Sequence, residues 1–174
     1  MTEFPRLTLV LGGASSGKSA YAEGLAAKSG LDKTYVATAQ AFDAEMQAKI
    51  KAHQEARATA NWTTIEAPMW IEPAIEHANG VVLVDCLTLW ISNHFLAENP
   101  TDDLATKFLN AQNASAAHII AVSNEVGLGV VPDNKLARDF RTIQGQMNQA
   151  IAAQADLVVN VIAGIPTAIK GTSP

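Results

Sequence analysis

Short apolar runs alternate along the chain with longer segments whose apolar residues recur every three or four positions. Several runs are continuous and rich in β-branched residues, which is typical of strands covered by helices on both faces. They predict six strands, at Leu7–Leu11, Thr34–Thr38, Thr63–Glu66, Val81–Asp85, His118–Ser123 and Leu157–Ile162. Helices are predicted between them, near 18–29, 41–57, 69–78, 87–97, 103–115 and 134–153. This alternation indicates an α/β fold with a mostly parallel sheet.

The last helix has the clearest pattern of the six. Its predicted buried stripe consists of Leu136, Phe140, Ile143, Met147 and Ile151. Pro132 followed by Asp133 supplies a start signal for this helix. The tail Gly164–Pro174 carries Gly, Pro and Ser, and we expect it to be bound to the surface or frayed.

Composition narrows the class of protein. A length of 174 residues predicts one domain spanning 1–174, and a hydrophobic content of 48% excludes an intrinsically disordered chain. Twelve Lys and Arg against seventeen Asp and Glu give a net charge of −5. No bulk basic field therefore attracts nucleic acid or an anionic membrane, and we expect neither as a partner.

Cysteine content and the N-terminus bear on the compartment. The single cysteine, Cys86, excludes an intramolecular disulfide framework and a multi-cysteine metal site. Residues Met1–Arg6 lack the basic start and apolar core of a signal peptide. No apolar run approaches the roughly 20 residues that a membrane span requires. We expect a cytoplasmic protein.

The strongest motif follows the first predicted strand. Gly12-Gly13-Ala14-Ser15-Ser16-Gly17-Lys18-Ser19 fits the phosphate-binding loop G-x-x-x-x-G-K-[ST] at every fixed position. Its glycines let backbone N–H groups point at phosphate oxygens, Lys18 reaches the β- and γ-phosphates, and the Ser19 hydroxyl holds Mg²⁺. A dinucleotide fingerprint would need glycine at position 14, and a chance turn is disfavoured by the flanking strand and helix. We expect a nucleoside triphosphate or a similar phosphate ligand.

A second metal ligand is expected at the end of a neighbouring strand. Asp85 ends the run Val81–Asp85, at the sheet edge where ligands of such folds collect. The alternative is that Asp85 only caps the following helix, but the loop upstream favours a Mg²⁺ or nucleotide role. Cys86 beside it is interpreted as a small buried packing residue rather than a nucleophile.

One predicted helix carries a histidine between cations. Lys49, His53 and Arg57 recur every four residues and share a face. Neighbouring positive charges disfavour protonation and keep an imidazole nucleophilic near neutral pH. A histidine so placed can attack an α-phosphate and form a covalent phosphoramidate. The spacing alone nevertheless favours an ordinary surface histidine, and His77, His94 and His118 are interpreted as surface or packing residues.

Two later segments remain ambiguous on their own evidence. Asn124-Glu125-Val126-Gly127 follows a strand and is equally well explained as a functional edge or as a glycine-containing turn. Arg138 and Arg141 lie three apart on the last helix and could contact substrate or phosphate. A solvated helix face is the commoner explanation for such a pair.

Together these segments resemble the bifunctional adenosylcobinamide kinase/adenosylcobinamide-phosphate guanylyltransferase family of cobalamin biosynthesis. The resemblance spans nearly the whole chain and rests on motifs in order: Leu11–Ser19, Tyr35–Gln40, Asp43–Met46 with Ile50, His53 and Arg57, Trp62–Glu66, Val84–Trp90, Ser123–Gly127, Val131–Asn134 and Leu136–Arg141.

The resemblance implies two reactions. A nucleoside triphosphate, ATP or GTP, phosphorylates the aminopropanol hydroxyl of adenosylcobinamide. The phosphate product then receives GMP from GTP, with release of pyrophosphate, through a GMP–histidine intermediate. The family fold is a RecA-like, P-loop α/β sheet assembled as a homotrimer.

The same comparison assigns site residues. His53 matches the histidine that carries GMP, which reverses the interpretation from spacing alone. The nucleotide-binding residues are Gly12, Gly13, Ala14, Ser15, Ser16, Gly17, Lys18, Ser19, Thr38, Ala39, Gln40, Arg57, Glu66 and Asp85, with Lys18 also catalytic and with Ser19 and Asp85 on Mg²⁺.

The chain departs from the family pattern only modestly. Ala52 precedes His53 where some members carry a second histidine, and Ala44 stands where some have a second acid. Gln54-Glu55-Ala56 precedes Arg57 where some members have Lys-Asp-Gly. These differences affect the expected corrin contacts more than the nucleotide chemistry.

Two other functions are compatible with a phosphate-binding loop. A simple small-molecule kinase would use the loop without any histidine adduct. A small GTPase switch would need an Asn-Lys-x-Asp motif, and Asn134-Lys135-Leu136-Ala137 fails at its last position. The first alternative stays open, and the second is disfavoured.

Overall fold

The structure is a computed structural model that describes residues 4–41, 55 and 60–174. Its centre is a seven-stranded sheet with the strand order β3-β2-β4-β5-β1-β6-β7. The strands are β1 Leu7–Gly12, β2 Lys33–Ala37, β3 Trp62–Glu66, β4 Val81–Asp85, β5 His118–Asn124, β6 Leu157–Ile162 and β7 Ile165–Lys170. The first six are mutually parallel, and β7 pairs antiparallel to β6. All six predicted strands are present within a residue or two of their predicted bounds.

Five helices are described outside the sheet. They are α1 Lys18–Lys28, α2 Glu72–Glu76, α3 Leu87–Leu96, α4 Leu104–Ala114 and α5 Lys135–Gln154. Five of the predicted helices are thus confirmed, although α2 is shorter than 69–78. The predicted helix 41–57 lies almost wholly outside the described residues.

The sheet is covered on both faces, as the continuous apolar strands predict. On one face β1, β4 and β5 pack against α2–α5, with Trp90 and Phe108 among the fully buried side chains. On the other face α1 supplies Ala22, Leu25 and Ala26 to a second cluster. The observed fold class is therefore the predicted α/β class with a mostly parallel sheet.

The stripe of α5 is buried only in its later turns. Met147 and Ile151 are buried, and Phe140 and Ile143 pack against the core, but Leu136 is 60% exposed. The helix is capped by Asn134, whose side chain accepts a hydrogen bond from the Ala137 N–H at 2.8 Å, and not by Asp133. The prediction for Leu136 was wrong because the first turn of α5 extends beyond the hydrophobic core.

The tail is bound at the surface, as predicted, but it contains a strand that the sequence pattern did not predict. Residues 165–170 form the edge strand β7, and its six side chains are all exposed. Ala163 and Gly164 connect β6 to β7, and both have positive φ, 51° and 80°. Positive φ at both residues of a two-residue turn is typical of a type I′ hairpin. Strand β7 was not predicted because a strand with no buried face lacks the alternation that identifies strands in sequence.

Among the described residues, no helix combines the length and apolar character needed to cross a membrane.

Candidate functional site

The phosphate-binding loop connects the end of β1 to the start of α1. Gly17 adopts a left-handed conformation with φ 93°, and the Tyr21 N–H donates to its carbonyl at 3.0 Å, so α1 starts directly after it. No side chain caps this helix start among the residues described. The first N–H groups of α1 and its positive dipole end are therefore available to an anion.

Lys18 is turned back into the loop. The residue is only 9% exposed, and its Nζ donates to the Gly13 carbonyl at 3.1 Å. This bond uses one of the three ammonium protons, and the other two can be donated to phosphate oxygens. The ammonium group is thus held by the loop itself beside the backbone N–H groups that would cradle a phosphate.

The β6–β7 hairpin supports the loop from one side. The Gly164 N–H donates to the Ser16 carbonyl at 2.8 Å. A Cβ on Gly17 would come within 3.3 Å of the Gly164 Cα, so the two segments are in close contact. The sequence prediction missed this support, because a contact between segments about 150 positions apart leaves no local signal.

Gly12 is enclosed on two sides. A Cβ at this position would lie 2.4 Å from Ser16 Oγ and 2.6 Å from the Val161 carbonyl oxygen. Ser16 Oγ is buried and has no hydrogen-bond partner among the described residues. The start of the loop therefore fits between α1 and β6 only when residue 12 has no side chain.

Asp85 lies at the carboxyl ends of the parallel strands, which form the predicted sheet edge, and two strands away from the loop. Since β5 separates β4 from β1, the end of β4 is about 10 Å from the end of β1 at the usual strand spacing. Tyr35 Oη donates to Asp85 Oδ2 at 2.8 Å, a contact that sequence patterning did not predict. This bond holds the carboxylate in place and leaves Oδ1 for a ligand.

Lys18 and Asp85 both lie close enough to Cys86 for their charges to affect its thiol. Burial raises the pKa of the Cys86 thiol, the charge of Asp85 raises it further, and the charge of Lys18 opposes both. The thiol lies in the α1-side core and stays protonated. The interpretation of Cys86 as a packing residue is confirmed.

Thr38 follows β2 and holds two strand ends together. Its Oγ1 accepts from the Cys86 N–H at 2.7 Å and donates to the Cys86 carbonyl at 2.8 Å. Asn93 Nδ2 donates to the Thr38 carbonyl at 2.8 Å. The Thr38 side chain is therefore committed to structure, while Ala39 and Gln40 after it are partly exposed at the same edge.

Glu66 shares the edge but not the loop's immediate neighbourhood. It ends β3, four strands from β1, which corresponds to about 19 Å at the usual strand spacing. The residue is exposed and pairs in register with Ala37 of β2. The structure thus brings Asp85 toward the loop and leaves Glu66 at the far end of the edge.

A magnesium site would draw on Ser19 and Asp85. Ser19 is the second residue of α1 and partly exposed, and both residues offer the oxygen ligands that Mg²⁺ prefers. Within the part of the chain that the structure describes, no group of three or more His, Cys, Asp or Glu could hold a metal by itself. Such a pair fits Mg²⁺ that is completed by nucleotide phosphates and water.

The three described histidines are held in structural contacts. His94 is buried, its Nε2 lies 2.7 Å from the Met69 carbonyl, and its ring meets Trp70 and Trp90 edge to face. His118 Nδ1 lies 3.0 Å from the Pro5 carbonyl, and His77 Nδ1 lies 2.8 Å from the Pro73 carbonyl. The packing and surface interpretation of these residues is confirmed. His53, Arg57 and Lys49 lie outside the described residues.

The segment 124–127 lies at the end of β5, next to the loop. Asn124 pairs with Gly12, and the Glu125 N–H donates to the Gly12 carbonyl at 3.0 Å. Glu125 Oε1 accepts from the Gly127 N–H at 2.7 Å, which makes the turn, and Thr88 Oγ1 accepts from the Asn124 N–H. The segment is therefore a glycine-containing turn that lies next to the loop, and its functional role stays a prediction.

A sequence model of one protein family, described as cobinamide kinase / cobinamide phosphate guanyltransferase (CobU), matches residues 8–169. The chain belongs to this family. The match covers the loop, the strand ends at Thr38, Glu66 and Asp85, and the positions of His53 and Arg57.

Individual relatives are similar over nearly their whole length. The chain is 44% identical over 168 residues to the bifunctional adenosylcobalamin biosynthesis protein CobP of Pseudomonas aeruginosa, covering 94% of this chain and 96% of that protein. It is 36% identical over 182 residues to the protein CobU of Salmonella typhimurium, covering 94% of this chain and 99% of that protein. The CobU of Escherichia coli gives the same identity and coverage.

A solved structure also resembles the fold at low sequence identity. The crystal structure of the RadB recombinase aligns with 90% of this chain and 74% of its own, with a TM-score of 0.43 and 14% identity.

Proposed function

We propose that this protein phosphorylates adenosylcobinamide with a nucleoside triphosphate and then transfers GMP from GTP to the product, giving adenosylcobinamide-GDP in cobalamin biosynthesis. The family match over 8–169 carries the proposal. The relatives of 44% and 36% identity support it, since their names describe bifunctional adenosylcobalamin biosynthesis proteins.

The kinase step uses the loop at the end of β1. Backbone N–H groups of the loop and the start of α1 bind the triphosphate, and Lys18 donates to the β- and γ-phosphates. The Ser19 hydroxyl and the Asp85 carboxylate would hold Mg²⁺, which would neutralise phosphate charge. The acceptor hydroxyl attacks the γ-phosphorus, the bond to the β-phosphate oxygen breaks, and the nucleoside diphosphate leaves.

The transfer step passes through His53. A neutral ring nitrogen of His53 attacks the α-phosphorus of GTP, the bond to the bridging oxygen breaks, and pyrophosphate leaves. A phosphate oxygen of the acceptor then attacks the same phosphorus, the P–N bond breaks, and the imidazole is regenerated. Lys49 and Arg57 keep His53 unprotonated and attract the phosphates toward it.

Positions along the sheet edge support the remaining nucleotide contacts that we propose. Ala39, Gln40 and Glu66 lie beyond Asp85 as seen from the loop, so they contact the ribose and base rather than the triphosphate. Thr38 acts through the backbone of Cys86, next to Asp85. Arg57 binds phosphate beside His53.

We also propose that the protein works in the cytoplasm as a homotrimer. Support comes from large apolar side chains left exposed on this single chain: Leu128, Val130, Val131, Leu136, Ile162, Ile165 and Ile169. Exposed apolar groups in such number are typical of surfaces that become covered by another chain.

Separating the two half-reactions tests the mechanism. Changing His53→Ala should abolish formation of the GDP derivative, because the nucleophile is lost, while phosphorylation of adenosylcobinamide falls less than about threefold. His77→Ala is the matched control, since it removes an exposed histidine at no proposed site. Both products are quantified by chromatography with ATP or GTP as donor.

Three outcomes would count against the proposal. Loss of both activities in a folded His53→Ala variant would assign the histidine to a shared role. Undiminished GMP transfer by His53→Ala would exclude the GMP–histidine intermediate and favour direct transfer from GTP to the acceptor, whereas phosphorylation without any GMP transfer by the wild type would favour a simple P-loop kinase.

A further inference from the structure

A second polar pocket lies at the same sheet edge as the loop, on the opposite face of the sheet. It has a volume of about 590 Å³ and lies between α5 and the segment that follows β5. Arg138, Arg141 and Gly145 line it from the helix, and Gly127 and Val131 line it from the segment. Because the Glu125 N–H donates to the Gly12 carbonyl, this pocket begins two residues after the contact with the loop, at Gly127.

The charge of the pocket is positive and uncompensated. Arg138 Nη1 donates to the Pro132 and Asp133 carbonyls at 3.0 and 2.6 Å, and Arg141 Nη2 donates to the Gly127 carbonyl. These acceptors are neutral, no carboxylate lines the pocket, and neither arginine forms an ion pair with a described residue. Lys135, one turn away on the same helix, is by contrast paired with Asp139.

The backbone acceptors fix each guanidinium and leave part of it unused. Arg141 Nη1 is buried and has no hydrogen-bond partner among the described residues. Buried donors of this kind are normally satisfied by a ligand or by ordered water. Guanidinium groups that are held in place in this way bind phosphate or carboxylate with two parallel hydrogen bonds.

The layer beneath the pocket is rigid. Gln144 Nε2 donates to Ser123 Oγ at 2.7 Å, Ser123 Oγ donates to Asn148 Oδ1 at 2.7 Å, and Asn148 Nδ2 donates to the Asn124 carbonyl at 3.1 Å. Gln144 and Ser123 are fully buried, so this network joins α5 to the end of β5. It fixes the helix turn that carries Arg141 relative to the sheet edge.

We infer that this pocket binds the phosphate monoester of the acceptor, separately from the triphosphate in the loop. The inference rests on the proposed function, in which the protein must bind a phosphorylated acceptor as well as the triphosphate of GTP. A dianionic phosphate matches two unpaired arginines, and one sheet edge then holds the two anions on opposite faces. The same chemistry could come from a nucleotide phosphate, and the two arms of the test separate these sources.

The first arm measures binding of inorganic phosphate by calorimetry, with the loop filled by α,β-methylene GTP and Mg²⁺. The wild type should bind phosphate, and Arg141→Gln should weaken it roughly 10- to 100-fold, as expected for loss of a charge-assisted hydrogen bond. Arg138→Gln, on an exposed residue, should weaken it in the same direction and guards against misfolding of the first variant. Lys135→Gln is the control and should bind like the wild type.

A variant whose larger side chain fills the pocket tests the pocket without removing any hydrogen bond. A Cβ on Gly145 meets no atom within 4 Å, and leucine suits a helix better than glycine. Gly145→Leu should therefore fold normally and lose phosphate binding. Failure of the wild type to bind phosphate, or wild-type binding by Arg141→Gln and Gly145→Leu, would overturn the inference.

The second arm measures steady-state guanylyl transfer to cobinamide phosphate. Arg141→Gln should raise KM for cobinamide phosphate about 10-fold or more, while KM for GTP and the yield of GMP bound to the protein stay within twofold. A rise in KM for GTP alone would assign the pocket to nucleotide and overturn the acceptor assignment. If the wild type transfers no GMP, the proposed function fails, and the first arm still decides whether the pocket binds phosphate.

Discussion

Two adjacent glycines at the start of the phosphate-binding loop face different surroundings. Gly12 is buried, and any Cβ there would overlap the Val161 carbonyl, which belongs to the sheet and cannot move cheaply. Gly13 is exposed, and a Cβ there meets nothing within 4 Å. Gly12 is a fixed position of the phosphate-binding motif and Gly13 is a variable one, and the structure supplies the steric reason for this difference.

This difference predicts unequal effects of the same substitution on stability. Gly12→Ala should lower the free energy of unfolding by about 1–3 kcal/mol, the usual cost of an extra group in a packed site. Gly13→Ala should change it by less than about 0.5 kcal/mol. Urea unfolding followed by circular dichroism measures both. Equal losses in the two variants would show that Gly12 is not enclosed as described.

At the scale of single residues, sequence reasoning placed the candidate residues at the correct ends of strands and helices but did not predict their contacts. Lys18, Ser19 and Asp85 were predicted from one motif and one strand end. The bond from Tyr35 to Asp85 joins neighbouring strands, and register between strands cannot be read from either strand alone. The bond from Gly164 to Ser16 joins a turn to a loop far apart in the sequence, and neither segment alone indicates it.

Among the elements, the β6–β7 hairpin links the end of the chain to the loop. Its turn contains Ala163, a residue with a Cβ in a positive-φ conformation that asparagine and glycine adopt more readily. Because Ala163 is exposed, a substitution there changes the turn without changing the core.

Replacing this alanine should therefore tune the hairpin in both directions. Ala163→Asn should raise the free energy of unfolding by about 0.5–1 kcal/mol, since asparagine tolerates the left-handed region. Ala163→Val should lower it, because a β-branched side chain is strained there. Thermal unfolding measures both variants. A stabilised valine variant would mean that the turn has a different backbone conformation.

The contrast between α5 and β7 shows what a pattern can predict at this scale. The later turns of α5 are amphipathic because one face packs on the sheet, so the sequence period identified them. Strand β7 has no buried face, and its only structural signature is a pairing with β6 that involves no apolar alternation. An element without a hydrophobic face has no clear periodicity of apolar residues, so its secondary structure cannot be predicted from the sequence pattern.

For the whole molecule, the strand order explains how residues from several strands come to share one edge of the sheet. The parallel strands β1–β6 bring the loop, Asp85, Thr38 and Glu66 to one edge, with α1 on one face and α5 on the other. Sequence could predict the parallel sheet from its continuous apolar strands. It could not predict the order of the strands, which decides that Asp85 lies near the loop and Glu66 far from it.

The most direct test of the central claim is mass spectrometry of the protein after incubation with GTP and Mg²⁺ in the absence of acceptor. A GMP–histidine intermediate predicts a mass increase of one GMP on the peptide containing His53, and this increase disappears when cobinamide phosphate is added. The His77→Ala variant should carry the same adduct, and His53→Ala should carry none. An unmodified wild-type protein, or an adduct that persists in His53→Ala, would contradict a GMP–histidine intermediate at His53.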